Sequence, residues 1–190
     1  MALPEPTARK PLHTRRITFD GFLREDGLFD IDGELTDSKN HSIDMHERGH
    51  LPAGGAIHHM RVRVTVDDTL TIRAIQTAMD AAPFGYCQNA VDPVQKLVGA
   101  RLGPGWRKAI EEAIGGVAGC THLRELLFNL ATAAFQTVPL ELSRQREARG
   151  EERDPGAPTP YFIGKCMSWD REGPVVQRVL PMYYRTPAAK

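Results

Sequence analysis

The run Gly119-Cys120-Thr121-His122-Leu123 puts a thiol and an imidazole two residues apart where an apolar-periodic segment begins. Unpaired N–H groups and the helix dipole at such a start favour a thiolate or a bound anion. An imidazole in the first turn can take a proton from that thiol or hold a substrate oxygen. Cys120 and His122 are therefore read as catalytic candidates, and Thr121 as part of an anion-binding helix end. The competing reading is structural: a small buried thiol, and a histidine bonded to a loop carbonyl.

A second imidazole comes from Gly54-Gly55-Ala56-Ile57-His58-His59-Met60. Successive strand residues point to opposite faces, and His58 shares parity with Met60, Val62 and Val64. His58 is thus the inward histidine and His59 the outward one. An inward imidazole on an apolar face must find a partner, either in a core hydrogen bond or in a site. A third candidate is Asp30-Ile31-Asp32, whose carboxylates share a face about 7 Å apart at strand spacing. They could orient the histidines, with Asp32 in that role, or bind a ligand through Asp30; the bland reading is the solvated face of an edge strand. Arg24, just before the Asp26-Gly27 turn, could clamp a substrate carboxylate bidentately.

The string His46-Glu47-Arg48-Gly49-His50 matches the zinc-protease motif letter by letter. That motif needs both histidines on one face of a helix. Gly49 lies inside the string, Pro52, Gly54 and Gly55 follow it, and no apolar periodicity crosses it. A surface loop is the expectation. The chain has no phosphate-binding glycine loop, no dinucleotide fingerprint, no Gly-x-Ser-x-Gly elbow and no Cys-x-x-Cys pair.

The elements that must position these residues begin with a proline-bearing lead-in at 1–12. Alternation from Arg16, the Asp26-Gly27 turn and a return strand from Leu28 to Leu35 make one hairpin. After a loop or long hairpin connection over 36–56, alternation at His59–Asp67 and from Leu70 makes a second, so an antiparallel sheet of about four strands is expected. Helical spacing is read over Asp92–Leu102, from Trp106 to a stop at Gly115-Gly116, and from Thr121 until Pro139 ends it. The charged stretch from 141 is read as a solvated helix end plus linker, within a charged and proline-rich loop over 141–160; 161–166 and 174–184 are read as further strands, and 185–190 as a tail. The class is α+β: one domain over 13–184, with four to six antiparallel strands packed by two or three helices.

Arg24-x-Asp26-Gly27-Leu28 with Asp30-Ile31-Asp32, Gly55-x-Ile57-His58-x-Met60, and Gly119-Cys120-Thr121-His122-Leu123-x-Glu125-Leu126 are carried together in this chain. In these blocks it resembles a bacterial family catalogued only as a domain of unknown function, over roughly 13–184. The resemblance implies no activity. It implies a setting among genes for the breakdown of aromatic compounds. The family pattern has an acidic residue after the strand histidine, where this chain has His59.

Composition bounds the reading. Basic and acidic residues number 24 each in 190, so no basic surplus points to nucleic acid, and an acidic ligand must be caught locally. No apolar run is long enough to span a bilayer, no secretory signal opens the chain, and three cysteines make no disulfide framework. A cytoplasmic monomer or homodimer with no membrane or nucleic-acid partner is expected. The leading expectation is a small enzyme acting on an organic acid or aromatic acyl compound, with His58, His122, Cys120 and Asp32 catalytic and Arg24, Asp30 and Thr121 binding the ligand. No metal ligands are assigned and the cofactor is left open; a metal held by some of these His, Asp and Cys side chains is a variant. A non-catalytic binding or accessory module is the alternative.

Overall fold

The computed structural model describes residues 2–151 and 159–187. The chain divides into two compact units, Met1–Gln145 and Arg146–Lys190. In the first, β1 (His13–Leu23), β2 (Phe29–Lys39), β5 (Ala56–Val66) and β6 (Ile72–Ala81) form an antiparallel sheet in the order β1-β2-β5-β6. A separate two-stranded ribbon, β3 (Ile43–Met45) with β4 (Gly49–Leu51), lies in the connection between β2 and β5. Helices α1 (Trp106–Ile114) and α2 (Thr121–Ala148) follow, so the α+β expectation holds.

Strict period-two burial makes β2 the spine of the sheet: Phe29, Ile31, Gly33, Leu35 and Asp37 are buried and the residues between them are not. The inward side chains of β2, β5 and β6 meet Leu123, Leu126, Leu127 and Leu130 of α2 and Trp106, Ile110 and Ile114 of α1 in one core. Trp106 Nε1 donates to the Leu127 carbonyl at 3.0 Å, tying α1 to α2. The fit of α2 on the sheet is close. A Cβ on Gly33 would stand 3.3 Å from the Leu126 side chain, and one on Gly21 would run into the side chain of Thr137. The tight return from β1 to β2 uses Gly27 at φ 83°, a left-handed conformation that glycine adopts without strain.

The two edges of the sheet differ. Along β6, Ile72 exchanges backbone bonds with Gly99 and Ala100, and Gln95 and Gln88 donate side-chain amides to the carbonyls of Ile75 and Met79. Among the described residues of the first unit, no such cover lies along the outer edge of β1.

Several local expectations are corrected. The stretch 36–56 holds the long hairpin connection between the paired strands β2 and β5, but the connection is shorter than expected, because β2 runs on to Lys39, and it carries the β3–β4 ribbon. Asp92–Leu102 is no α-helix: a short 3-10 turn ends at Leu97, where Val98 turns extended and Gly99 takes φ 89°. Pro139 does not end α2 but lies inside it. The turn beyond is held by Leu142, packed against the core, and by Glu141, which accepts bonds from Arg144 and Gln145. Residues 141–148 are therefore helical, and 152–158 of the expected loop lie outside the described residues.

In the second unit the expected strands at 161–166 and 174–184 are turns and short helices, with α3 at Pro174–Val179. Pro174 presets the first helical turn there, so the valines that read as strand sit at helical spacing. Phe162 packs on Trp169 with ring centroids 4.5 Å apart. Among the described residues no helix is long and apolar enough to cross a membrane.

The seating of α2 on β1 is open to test. Gly21→Ala should lower stability by about 1–3 kcal/mol, the range for overpacking, and the loss should shrink in a Thr137→Ala background. Urea unfolding of the two single variants and the double variant measures this.

Candidate functional site

Asp37 is 2% exposed and sits on the core face near the end of β2. A buried carboxylate needs compensating donors, and β1 and β5 supply them. Arg15 of β1 makes a bidentate pair with it, Nε to Oδ1 at 2.9 Å and Nη2 to Oδ2 at 2.8 Å. His13, two residues earlier on the same face of β1, places Nε2 3.1 Å from Oδ1. His58, the cross-strand neighbour of Asp37 on β5, places Nδ1 3.1 Å from Oδ2. Irregular registers at Asp37/Ser38 and at His59/Met60 flank this pair, as bulges beside sites often do.

The first turn of α2 completes the cluster. The His122 ring lies 3.9 Å from that of His58, centroid to centroid, tilted by 34°. Its Nε2 is 3.8 Å from Asp37 Oδ2, beyond hydrogen-bond range, while its Nδ1 is 3.7 Å from Cys120 Sγ. The Cys120 carbonyl accepts the Arg124 N–H, so Cys120 occupies the capping position and the exposed Thr121 is the first helical residue. Three residues on from His122, Glu125 accepts Arg15 Nη1 at 2.6 Å, which locks the helix end to β1.

The electrostatics arise from this packing. Burial favours a protonated Asp37, but the hydrogen bonds and charge of Arg15, with His58 and His13, outweigh it and hold the carboxyl below its ordinary value. Burial pushes His58 down; a charge on His122 pushes the same way, and Asp37 only partly offsets them. His122 is lowered by burial and by Arg15 against the opposing pull of Asp37 and Glu125. Both imidazoles are neutral at pH 7. With Nδ1 of His58 donating to Asp37, its Nε2 carries a free lone pair. One donor atom each from Asp37, His58 and His122 lie within 4.8 Å of one another, so the three together could also hold a metal ion.

Cys120 further lines a cavity of about 270 Å³ with Tyr86, Cys87, Asn89 and Val117. This hollow opens between the 3-10 turn at 85–90 and the loop before α2. No residue of the sheet lines it.

The structure brings together His58, His122 and Cys120 and sets Asp30, Asp32 and Arg24 elsewhere. Asp30 and Asp32 point to the opposite face of the sheet, where Thr65 donates to Asp30 and Arg63 binds Asp32 bidentately. Arg24 pairs with Asp26 at the hairpin turn. Neither Asp30 nor Asp32 can orient the histidines; Asp37 does so. Its signal is in the alternation of β2, which carries Phe29, Ile31, Gly33 and Leu35 on to Asp37 in the same parity. His13 and Arg15 share the parity of Ile17 and Phe19 in the same way. His59 faces outward, against Glu34. The His46–His50 string is a hairpin turn and not a helix; its Glu47 accepts the Gly85 N–H, and His50 pairs with Asp44.

A family model described as "Protein of unknown function (DUF2889)" matches residues 13–136. The chain belongs to this family. The matched DUF2889 segment begins at His13 and contains every residue of the Asp37 cluster, together with Cys120 and Glu125. No curated protein and no solved structure matches the chain.

The cluster predicts an acid-sensitive fold. Both histidines and Asp37 titrate lower in the folded protein than in the unfolded chain, so the unfolded chain binds protons first as pH falls. Stability should drop as pH descends below about 6.5, and again where Asp37 protonates. Urea midpoints of chelator-treated protein between pH 7 and pH 5 should show the first drop. A His58→Gln/His122→Gln variant should show a shallower slope.

Proposed function

We propose that the protein is a small enzyme that moves protons on a small organic acid or acyl compound. The observation that supports it is a pair of neutral, near-stacked imidazoles converging on one buried carboxylate, with a thiol beside the second ring. Asp37 holds the Nδ1–H of His58 and leaves Nε2 as the acceptor of a substrate proton. His122 takes the Cys120 proton as the sulfur attacks a carbonyl, the N–H groups at the start of α2 face the oxyanion that develops, and its collapse to a thioester breaks the bond to the leaving group, to which His122 returns the proton. An imidazole kept neutral at pH 7 is ready to act as a base without first losing a proton.

The four lone pairs of Asp37 support this reading over a metal centre. Arg15 takes two and His58 one, His13 Nε2 stands 3.1 Å from Oδ1, and the Arg15 charge already balances that of the carboxylate. The approach of one donor atom each from Asp37, His58 and His122 to within 4.8 Å of one another favours the second reading, a divalent transition metal held by two imidazoles and a carboxylate.

p-Nitrophenyl acetate, a small acyl ester, separates the readings. A burst of nitrophenolate with acetyl found on Cys120 by mass spectrometry is expected. His122→Ala and Cys120→Ser should cut the burst rate at least tenfold, within the usual range for a lost general base or nucleophile. His59→Ala, on the outer face, should leave it unchanged. A rate equal to that of the urea-unfolded chain, or one indifferent to His122, overturns the proposal. One equivalent of zinc, manganese or iron in purified protein, lost in Asp37→Ala, would establish the metal reading instead.

A further inference from the structure

The outer edge of β1 is eleven residues long and carries no backbone partner in the first unit. Bare edges of that length are templates for another strand, and proteins normally blunt them. This one contains no proline, and its charges are placed in a particular way. Antiparallel pairing of β1 with itself must match residues of equal parity, because each face of the sheet has to continue across the join. Centred on Thr18, such pairing sets Arg16 opposite Asp20 of a second copy, and Asp20 opposite its Arg16.

Both residues are exposed, and neither has a hydrogen bond or ion pair among the described residues. Asp20 is moreover set directly across from Asp32 of β2, a like-charge pair that is unfavourable unless a cation approaches from the other side. Arg63 neutralises Asp32 and does nothing comparable for Asp20. On the opposite face the same register puts Ile17 against Phe19 of the second copy. Both line an open apolar hollow of about 440 Å³ beside Ala133 and Gln136 of α2. His13 falls opposite Leu23, which is 47% exposed in the single chain.

We infer that β1 is the interface of a two-fold homodimer in which the four-stranded sheets of two copies join into one of eight strands, fastened by two reciprocal Arg16–Asp20 pairs. The occupant is a second copy because the strand complements itself in charge on one face and in apolar contact on the other. The pairing also closes the open side of His13, so the Asp37 cluster loses solvent contact on assembly. The inference stands apart from the proton-transfer reading, since no residue of the Arg16–Asp20 pair takes part in that chemistry.

Charge exchange tests it on the full chain. Light scattering over a hundredfold concentration range should show the wild type passing from monomer to dimer. Arg16→Asp alone and Asp20→Arg alone each set two like charges opposite one another and should weaken the dimer about tenfold or more. The double variant R16D/D20R restores the pairs and should recover the wild-type constant. Amide exchange in residues 13–23 should slow with concentration in wild type and in the double variant only. A wild type that stays monomeric throughout overturns the inference and leaves the edge to a strand of different sequence. A dimer indifferent to the single exchanges, or not recovered by the double, overturns it as well.

Discussion

One buried negative charge constrains the first unit more than any other group. Asp37 stands at the end of an otherwise apolar stripe on β2, facing the core. An ionised carboxylate there is tolerable only if its oxygens are fully engaged, and the partners come from far along the chain: β1, β5 and the start of α2. Each partner fixes an element. Arg15 ties the edge strand to β2 and, through Glu125, to the helix; His58 sets the register at the irregular end of β5. The hydrophobic core supplies the main driving force and seats α2 closely on the sheet, while the polar cluster adds directional constraints. Hydrogen bonds have narrow distance and angle ranges.

Much of this is legible in the sequence where a short-range rule applies. Alternation yields both hairpins and the inward face of His58, and the helical period yields the start of α2. The rules fail where tertiary contacts override them. Pro139 reads as a helix end, but i+3 and i+4 bonds from Glu141 and the packing of Leu142 carry the helix past it. The valines of 175–179 read as strand, but Pro174 starts a helix. Asp30 and Asp32 are conspicuous because two like-facing carboxylates sit close together. Asp37 is not, because a strand expected to end at Leu35 hides the parity that Asp37 shares with it. The full length of β2 moves the candidate acid from one face of the sheet to the other.

The sheet keeps two chemistries apart. Its outer face is a lattice of exposed ion pairs, Arg63 with Asp32 and Arg61 with Asp80 among them, worth little individually and readily screened. Its inner face holds a single engaged charge with its neutral imidazoles. His58 and His59 are neighbours in sequence, yet they belong to these two different settings: one is governed by desolvation, the other sits half in water against Glu34. The same residue type at adjacent positions is thus poised for different tasks by strand geometry alone.

The asymmetry between the two sheet edges carries a consequence for solubility. Gln88, Gln95 and the backbone at 99–100 occupy three carbonyls and one amide of β6, so a strand arriving there meets an edge whose bonding pattern is already interrupted. A sheet that can accept a neighbour on one side only cannot propagate. Whatever meets β1 terminates growth, because the far side of each added copy is already stoppered. The glutamine cover is in this sense a chain terminator, which lets the protein keep a long bare strand without becoming the seed of a fibre.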